Sequence, residues 1–322
     1  MSTEGGTKAV IAAAIANLGI AVTKFIAYLV TGSSSMLSEA IHSLADTGNQ
    51  ALLLVGGKRS TRGADVEHQF GYGRLRYVYA FVVAIILFML GGMFSLYEGW
   101  HKISHPEELN KVWVAYLVLF IAIALESWSF RTAFREANKS RGRRSLFQYI
   151  RDTRQPELPV VLLEDLGALI GLVLALLGIT MAVITGDARW DGVGSLAIGT
   201  LLLVIAVFLA FEVSGLLVGE SALPEQEAAI RTALGEQPGV ESIIHMRTLH
   251  TGPDELLVAV KIGVPADVAS QTVARVIDEA EQRVRAVVPT AKWIYVEPDI
   301  QRGTGAAQPQ DIAGSAAEDS GA

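Results

Sequence analysis

Along the first two thirds of this chain, apolar residues run in long blocks rather than alternating with polar ones. Six stretches are mostly apolar over about 20 residues or more: 8–30, 36–57, 77–99, 112–133, 159–184 and 193–217. A helix needs about 20 such residues to cross a hydrocarbon core about 30 Å thick, so the pattern predicts six membrane-spanning helices. The second and fifth carry charges inside, which makes their hydropathy moderate. The first lacks a basic leader and a small-x-small cleavage site and reads as a retained helix rather than a signal peptide. Beyond residue 220 the periods shorten. Residues 223–236 predict a helix, with Pro224 in its first turn and Gly235 near its end. Runs 242–249 and 255–264 predict two strands around the Thr251-Gly252-Pro253-Asp254 turn, and KWIYVE at 292–297 alternates as a third. Between them, Val268, Val273, Val276, Ile277, Ala280 and Val284 mark one face of a helix over 267–288. The expected fold is an all-α six-helix transmembrane domain over 1–220 followed by an αββαβ, ferredoxin-like α+β domain over 221–299. The tail 300–322 is rich in Gly, Ala, Gln and Ser without periodicity, and disorder is expected there.

Charge adds orientation. The loop between spans two and three carries Lys58, Arg59, Arg62, Arg74 and Arg76, and the loop between spans four and five carries eight more, from Arg131 to Arg154. The other three loops together hold Lys102, Lys111 and Arg189. By the positive-inside rule the basic loops face the cytoplasm, and both termini and the α+β domain go with them. Residues 1–220 hold 18 Lys+Arg against 18 Asp+Glu, whereas 221–299 hold 7 against 12, a net of -5. No basic domain exists to bind nucleic acid. Of the 322 residues, 51% are hydrophobic, 18% are charged and none is Cys. Thiolate ligands, iron–sulfur clusters and Cys nucleophiles are thereby excluded, and a metal site would rest on His, carboxylate, amide or backbone oxygen. A Gly-x-Ser-x-Gly elbow and an HExxH motif are both missing, and Ser33, Ser34 and Ser35 read as helix N-cap residues, so an intramembrane hydrolase is disfavoured.

Ionisable residues inside spans are costly and mark functional positions. His42 and Asp46 in span two are four apart, on one helix face. Asn49 and Gln50 lie near that face toward the inside. Span five carries Glu164 and Asp165, followed by Gly167, Ala168 and Gly171, which let another helix approach closely. An imidazole nitrogen plus carboxylate oxygens from two facing helices suits a tetrahedral site for a borderline divalent ion such as Zn²⁺. The bland alternative is a satisfied structural His42–Asp46 pair. Glu164 sits about 100° around the helix from Asp165. It is open as a fourth ligand, a proton carrier or a residue facing a polar interior. Glu126, mid-span four, is a lone carboxylate at depth and a candidate proton carrier together with His42, since an imidazole changes charge near neutral pH. Lys24 either snorkels to the interface or forms an ion pair. Glu98 reads as interfacial, and Glu212 as structural or interdomain.

Several motifs fall together: Asn17 and Lys24 in span one, SEAIHSLADTGNQ at 38–50, HQFGYGR at 68–74 and SLYEGWHKISHPE at 95–107. With six spans and an αββαβ domain, the chain closely resembles the cation diffusion facilitator family of metal transporters over nearly its whole length. The resemblance implies efflux of a divalent cation by proton antiport, as a homodimer in the lipid bilayer, with metal held between spans two and five. It makes His42 and Asp46 the first ligand pair and Asp165 a member of the second. Val161 stands four residues before Asp165, where the family usually has His or Asp, so Glu164, a water or another group must complete the site. Zinc is the first choice, with manganese, cobalt and iron open, and no resident cofactor is implied. Asp65 and His68 match two members of an auxiliary loop site in some relatives, but Tyr72 replaces the third, so a weak or absent site is expected. At the family's cytoplasmic metal positions stand Ile244, Val260 and Tyr295, with Glu297 the one ligand type kept, so no binuclear site is expected there. His245 and His250 read as surface strand residues. The expectation is a multi-pass secondary transporter, not an enzyme, in a bacterial inner membrane. The rival is a non-transporting, metal-dependent membrane regulator or scaffold.

Overall fold

The structure is a computed structural model that describes residues 4–31, 34–106 and 111–300. The side chains of Ser33, Ser34, Ser35 and Ser38, and the tail from 301, lie outside the described residues. The chain divides into two compact units after Val218.

The first unit is entirely helical: α1 (Glu4–Thr31), α2 (Ser34–Ser60), α3 (Leu75–Ile86), α4 (Phe94–Ser104), α5 (Val112–Arg141), a short α6 (Leu146–Asp152), α7 (Glu157–Thr185) and α8 (Arg189–Val218). The helix α3 continues through a π-helical turn, Leu87–Met93, into α4, so the third span is one long helix with a wide turn at its middle. Five of the six long helices are apolar enough to cross a membrane by length and composition. The exception is α2, as long as the others but polar where it faces inward. Its stripe Ser43, Gln50 and Leu53 is buried, with Asp46 between them. Outward-facing side chains such as Leu29, Ile184 and Phe211 are each more than 60% exposed, as expected of a surface solvated by acyl chains rather than water.

Small residues set the tightest packing. The third span and α8 meet along Gly92 in the π-helical turn, Gly99 in α4, and Gly192 and Gly199 in α8. A Cβ at Gly99 would lie 2.6 Å from the Leu196 backbone nitrogen and 2.9 Å from the Gly192 carbonyl oxygen; one at Gly199 would lie 2.7 Å from the Leu96 nitrogen. Backbone atoms cannot step aside, so only glycine permits this approach. Leu146–Asp152 is opened by a capping box: Ser145 Oγ accepts from the Gln148 N–H, and the Gln148 side chain returns the bond to the Ser145 N–H.

The second unit follows the expected order: α9 (Pro224–Gly235), β1 (Ser242–Gly252), β2 (Glu255–Gly263), α10 (Ser270–Val287) and β3 (Ala291–Asp299). The sheet order is β1-β2-β3, with β1 antiparallel and β3 parallel to the central β2. Leu256, Val258, Val260 and Ile262 alternate into the core from β2, and Val276, Ala280 and Val284 from α10 cover them. Gly239 has φ +92°, in the left-handed region, at the turn between α9 and β1. His250 differs from expectation. It is 3% exposed, because the end of β1 turns inward and its ring packs over its own turn, with Nδ1 3.4 Å from the Gly252 carbonyl oxygen.

The glycine seam makes a prediction. Gly99→Val should cost about 1–3 kcal/mol by overpacking, read as a lowered unfolding midpoint in detergent. Gly57→Ala, where a Cβ meets nothing within 4 Å, should leave the midpoint unchanged or raise it.

Candidate metal-binding cavity

The polar residues picked out inside the spans converge. A cavity of ≈ 200 Å³ in the helical unit is lined by His42 and Asp46 from α2, Glu126 from α5, and Glu164 and Asp165 from α7. Each reaches it because its helix turns a polar position inward at mid-depth. His42 Nε2 lies 3.8 Å from Asp46 Oδ2, as their spacing of one turn predicts. Asp165 is buried and accepts a 2.6 Å hydrogen bond from Ser129 Oγ on α5. Ser129 was not anticipated. A serine inside an apolar span is a weak signal, and only the packing of α5 on α7 gives it a partner.

Glu164 faces differently from Asp165. Its Oε2 accepts a 2.8 Å bond from Gln50 Nε2, and its Oε1 meets Asn49 Nδ2 at 3.5 Å. Thus α7 holds its two adjacent carboxylates through different helices, Asp165 through α5 and Glu164 through α2. Val161 lies fully buried within the apolar core of the bundle. Among the described residues, no three His, Asp or Glu side chains stand close enough in this conformation to hold one ion together. The expected ligands line one cavity without closing on a single point.

Toward the α2 N-terminus the same cavity is walled by ion pairs. Lys24 Nζ lies 3.4 Å from Glu39 Oε2 and donates to Ser43 Oγ at 3.1 Å, so its role is a pair rather than snorkelling. Lys102 Nζ bridges Glu98 at 3.1 Å and Asp191 at 3.0 Å, so Glu98 is part of the cavity wall and not an interfacial carboxylate. Glu39 and Asp191 do not stand out in the sequence, and Lys102 reads there only as a loop charge, because all three lie toward helix ends, where charges are common.

The auxiliary loop is held by its own residues. Asp65 Oδ2 accepts from Tyr72 Oη at 2.6 Å and from Arg62 Nη2 at 3.0 Å, while Oδ1 accepts the backbone N–H groups of Glu67 and His68. His68 Nδ1 stands 3.6 Å from the same carboxylate, and its ring packs against that of Tyr72. The Tyr72 hydroxyl thus bonds Asp65 directly at the position where a third ligand was sought. That bond holds the Asp65 carboxyl below its ordinary range and pushes the Tyr72 phenol above its own. In the second unit Glu297 pairs with Lys261 at 3.0 Å, and Lys261 also meets Asp299 at 3.1 Å. Val260 belongs to the core and Tyr295 is 54% exposed.

The comparisons with known proteins agree with this architecture. Residues 10–218 match the model of the cation efflux transmembrane domain, and residues 222–299 that of the cation efflux protein cytoplasmic domain. The protein is a multi-pass membrane protein. It belongs to the cation efflux, or cation diffusion facilitator, family. A proton-coupled zinc antiporter SLC30A9, mitochondrial, from Xenopus laevis is 35% identical over 254 residues, 78% of this chain and 45% of that one. This chain therefore spans less than half the length of that relative. The cation-efflux pump FieF of Pectobacterium atrosepticum is 28% identical over 313 residues, covering 92% of this chain and 96% of its own. A solved MamM CTD is similar over 24% of this chain and 93% of its own, at 20% identity and a TM-score of 0.23.

The loop geometry yields a titration test. A lowered folded-state pKa means that Asp65 stabilises the loop above the ordinary carboxylate range and loses that contribution as pH falls through its folded value. Tyr72→Phe removes the first cause of the shift. The Asp65 carboxyl should then titrate at higher pH than in the wild type, as read by carbon NMR of labelled aspartate.

Proposed function

We propose that this chain exports a divalent cation, zinc first, in exchange for protons, working as a homodimer with both termini and the α+β domain in the cytoplasm. The observation that carries the reading is the single cavity shared by His42, Asp46, Glu126, Glu164 and Asp165 within an apolar bundle. The ion sheds water and binds His42, Asp46 and Asp165, and the protons those groups held are released. Helix movement exposes the loaded site to the other side, where protons compete for the same groups and expel the ion. A bound cation or bound protons each neutralise the cluster, so the loaded and protonated forms are the ones that cross cheaply. Zinc is supported by the nitrogen ligand of His42 and by the named activity of the SLC30A9 relatives. Manganese, cobalt and iron are the alternatives to be tested. A bacterial inner membrane is supported by the match to FieF over nearly the full length of both chains.

The test is metal-driven proton movement in proteoliposomes with Zn²⁺, Mn²⁺, Co²⁺ and Fe²⁺ in turn. One ion should drive proton movement in the wild type. Asp46→Ala and Asp165→Ala should each reduce it by at least about tenfold, the scale of an altered metal site. Flux that survives both substitutions in folded protein overturns the reading. Metal binding without flux for any ion would instead favour the regulator.

A further inference from the structure

Behind Glu164, on the side away from the ion-paired end of the cavity, lie two amides that the proposed site does not use. Gln50 is fully buried and Asn49 is 1% exposed. Both spend an N–H donor on Glu164, and both leave the carbonyl oxygen, Gln50 Oε1 and Asn49 Oδ1, with no hydrogen-bond partner among the described residues. Buried amides ordinarily satisfy both ends. Here two neighbours on one turn of α2 leave the same end unsatisfied, beside a buried carboxylate. Packing alone does not account for the pair: a leucine at either place would fill the space but take a donor from the buried Glu164 carboxylate, and the donors do not explain why both oxygens are left over.

We infer that Asn49, Gln50 and Glu164 form a second, oxygen-only cation station, one helical turn from Asp46 on the inner side of the His42–Asp46–Asp165 site. In the present conformation the amide N–H groups stand in for the ion, each directing partial positive charge at Glu164. Rotation of a terminal amide by 180° exchanges its oxygen and nitrogen at almost no steric cost. Rotated, both carbonyl oxygens face the carboxylate, and together they make an oxygen cradle for a divalent cation. Without an ion the present orientation is favoured, because it keeps both donors on the carboxylate; a divalent cation placed between the oxygens reverses that preference. Carboxylate and carbonyl oxygens without nitrogen suit a hard cation such as Mn²⁺ and hold Zn²⁺ more loosely than a site with imidazole does. Such a station receives the ion from the inner side and passes it to His42. This deepens the proposed export function and rests on it for direction only; the binding itself does not depend on transport.

The probe is Mn²⁺, titrated into the purified full-length chain in detergent and followed by the paramagnetic resonance of the free ion. The wild type should bind two ions per chain. Asp165→Ala should lose one and keep the other. Gln50→Leu should weaken the retained ion by roughly tenfold or more. Gln50→Glu, which adds a carboxylate and cannot donate to Glu164 when ionised, should tighten it by a similar factor and reports even where the leucine variant fails to fold. A single ion per wild-type chain overturns the inference. So does loss of both ions in Asp165→Ala, or an affinity that neither Gln50 variant moves. Failure of the export reading would show separately, as proton flux that persists in Asp165→Ala.

Discussion

Burying acidic side chains inside an apolar bundle is the constraint on which this structure turns. A carboxylate removed from water must find donors or a countercharge, and the membrane supplies neither. Each span bends its sequence to that need. The helix α2 gives up the hydropathy of a free-standing span to carry Ser43, Asp46, Asn49 and Gln50 inward. Within α5, the buried Ser129 donates to Asp165. Such a helix does not stand alone in lipid; its neighbours make it tolerable by covering its polar stripe.

The cover requires close approach, which explains the glycines. Along α4 and α8 the backbones nearly touch, so the two helices form a stiff pair. The pair carries Glu98, Lys102 and Asp191 to one end of the cavity. The π-helical turn at Leu87–Met93 sits between that stiff portion and α3, with Leu87 itself on the cavity wall. Wide turns of this kind interrupt the regular ladder and recur at functional sites. Here the turn lets one half of a span keep its glycine contacts while the other half follows α2.

Element type and order could be read from the chain because each rests on a local period: long apolar blocks for the spans, alternation for β2, a four-residue repeat for α10. The intramembrane residues stood out because a charge in an apolar run is rare. What stayed hidden depends on partners distant in sequence. Ser129 has meaning only once α5 lies on α7. The direction of Glu164 toward Gln50 depends on the rotation of two helices whose residues are 114 positions apart. His250 is placed inward by the end of β1, where alternation ends and a bulge resets the register. The π-helical turn leaves no periodic trace at all, since its sequence LFMLGGM is as apolar as the regular helix around it.

The donors facing the two α7 carboxylates share one property that bears on exchange. Ser129, Gln50 and Asn49 are all neutral, and all can rotate. The fixed cations lining the cavity, Lys24 and Lys102, are committed to Glu39, Glu98 and Asp191 instead. Were an ammonium paired with Asp165 or Glu164, it would neutralise the charge permanently and compete with any arriving ion. Neutral donors hold the carboxylates in place and lessen the cost of burial without cancelling their charge. The carboxylates are therefore held in place yet short of positive charge, which under the proposed function a mobile cation or proton supplies. Under the proposed function, that division between fixed charges at one end and rotatable dipoles at the centre is what makes the site reversible.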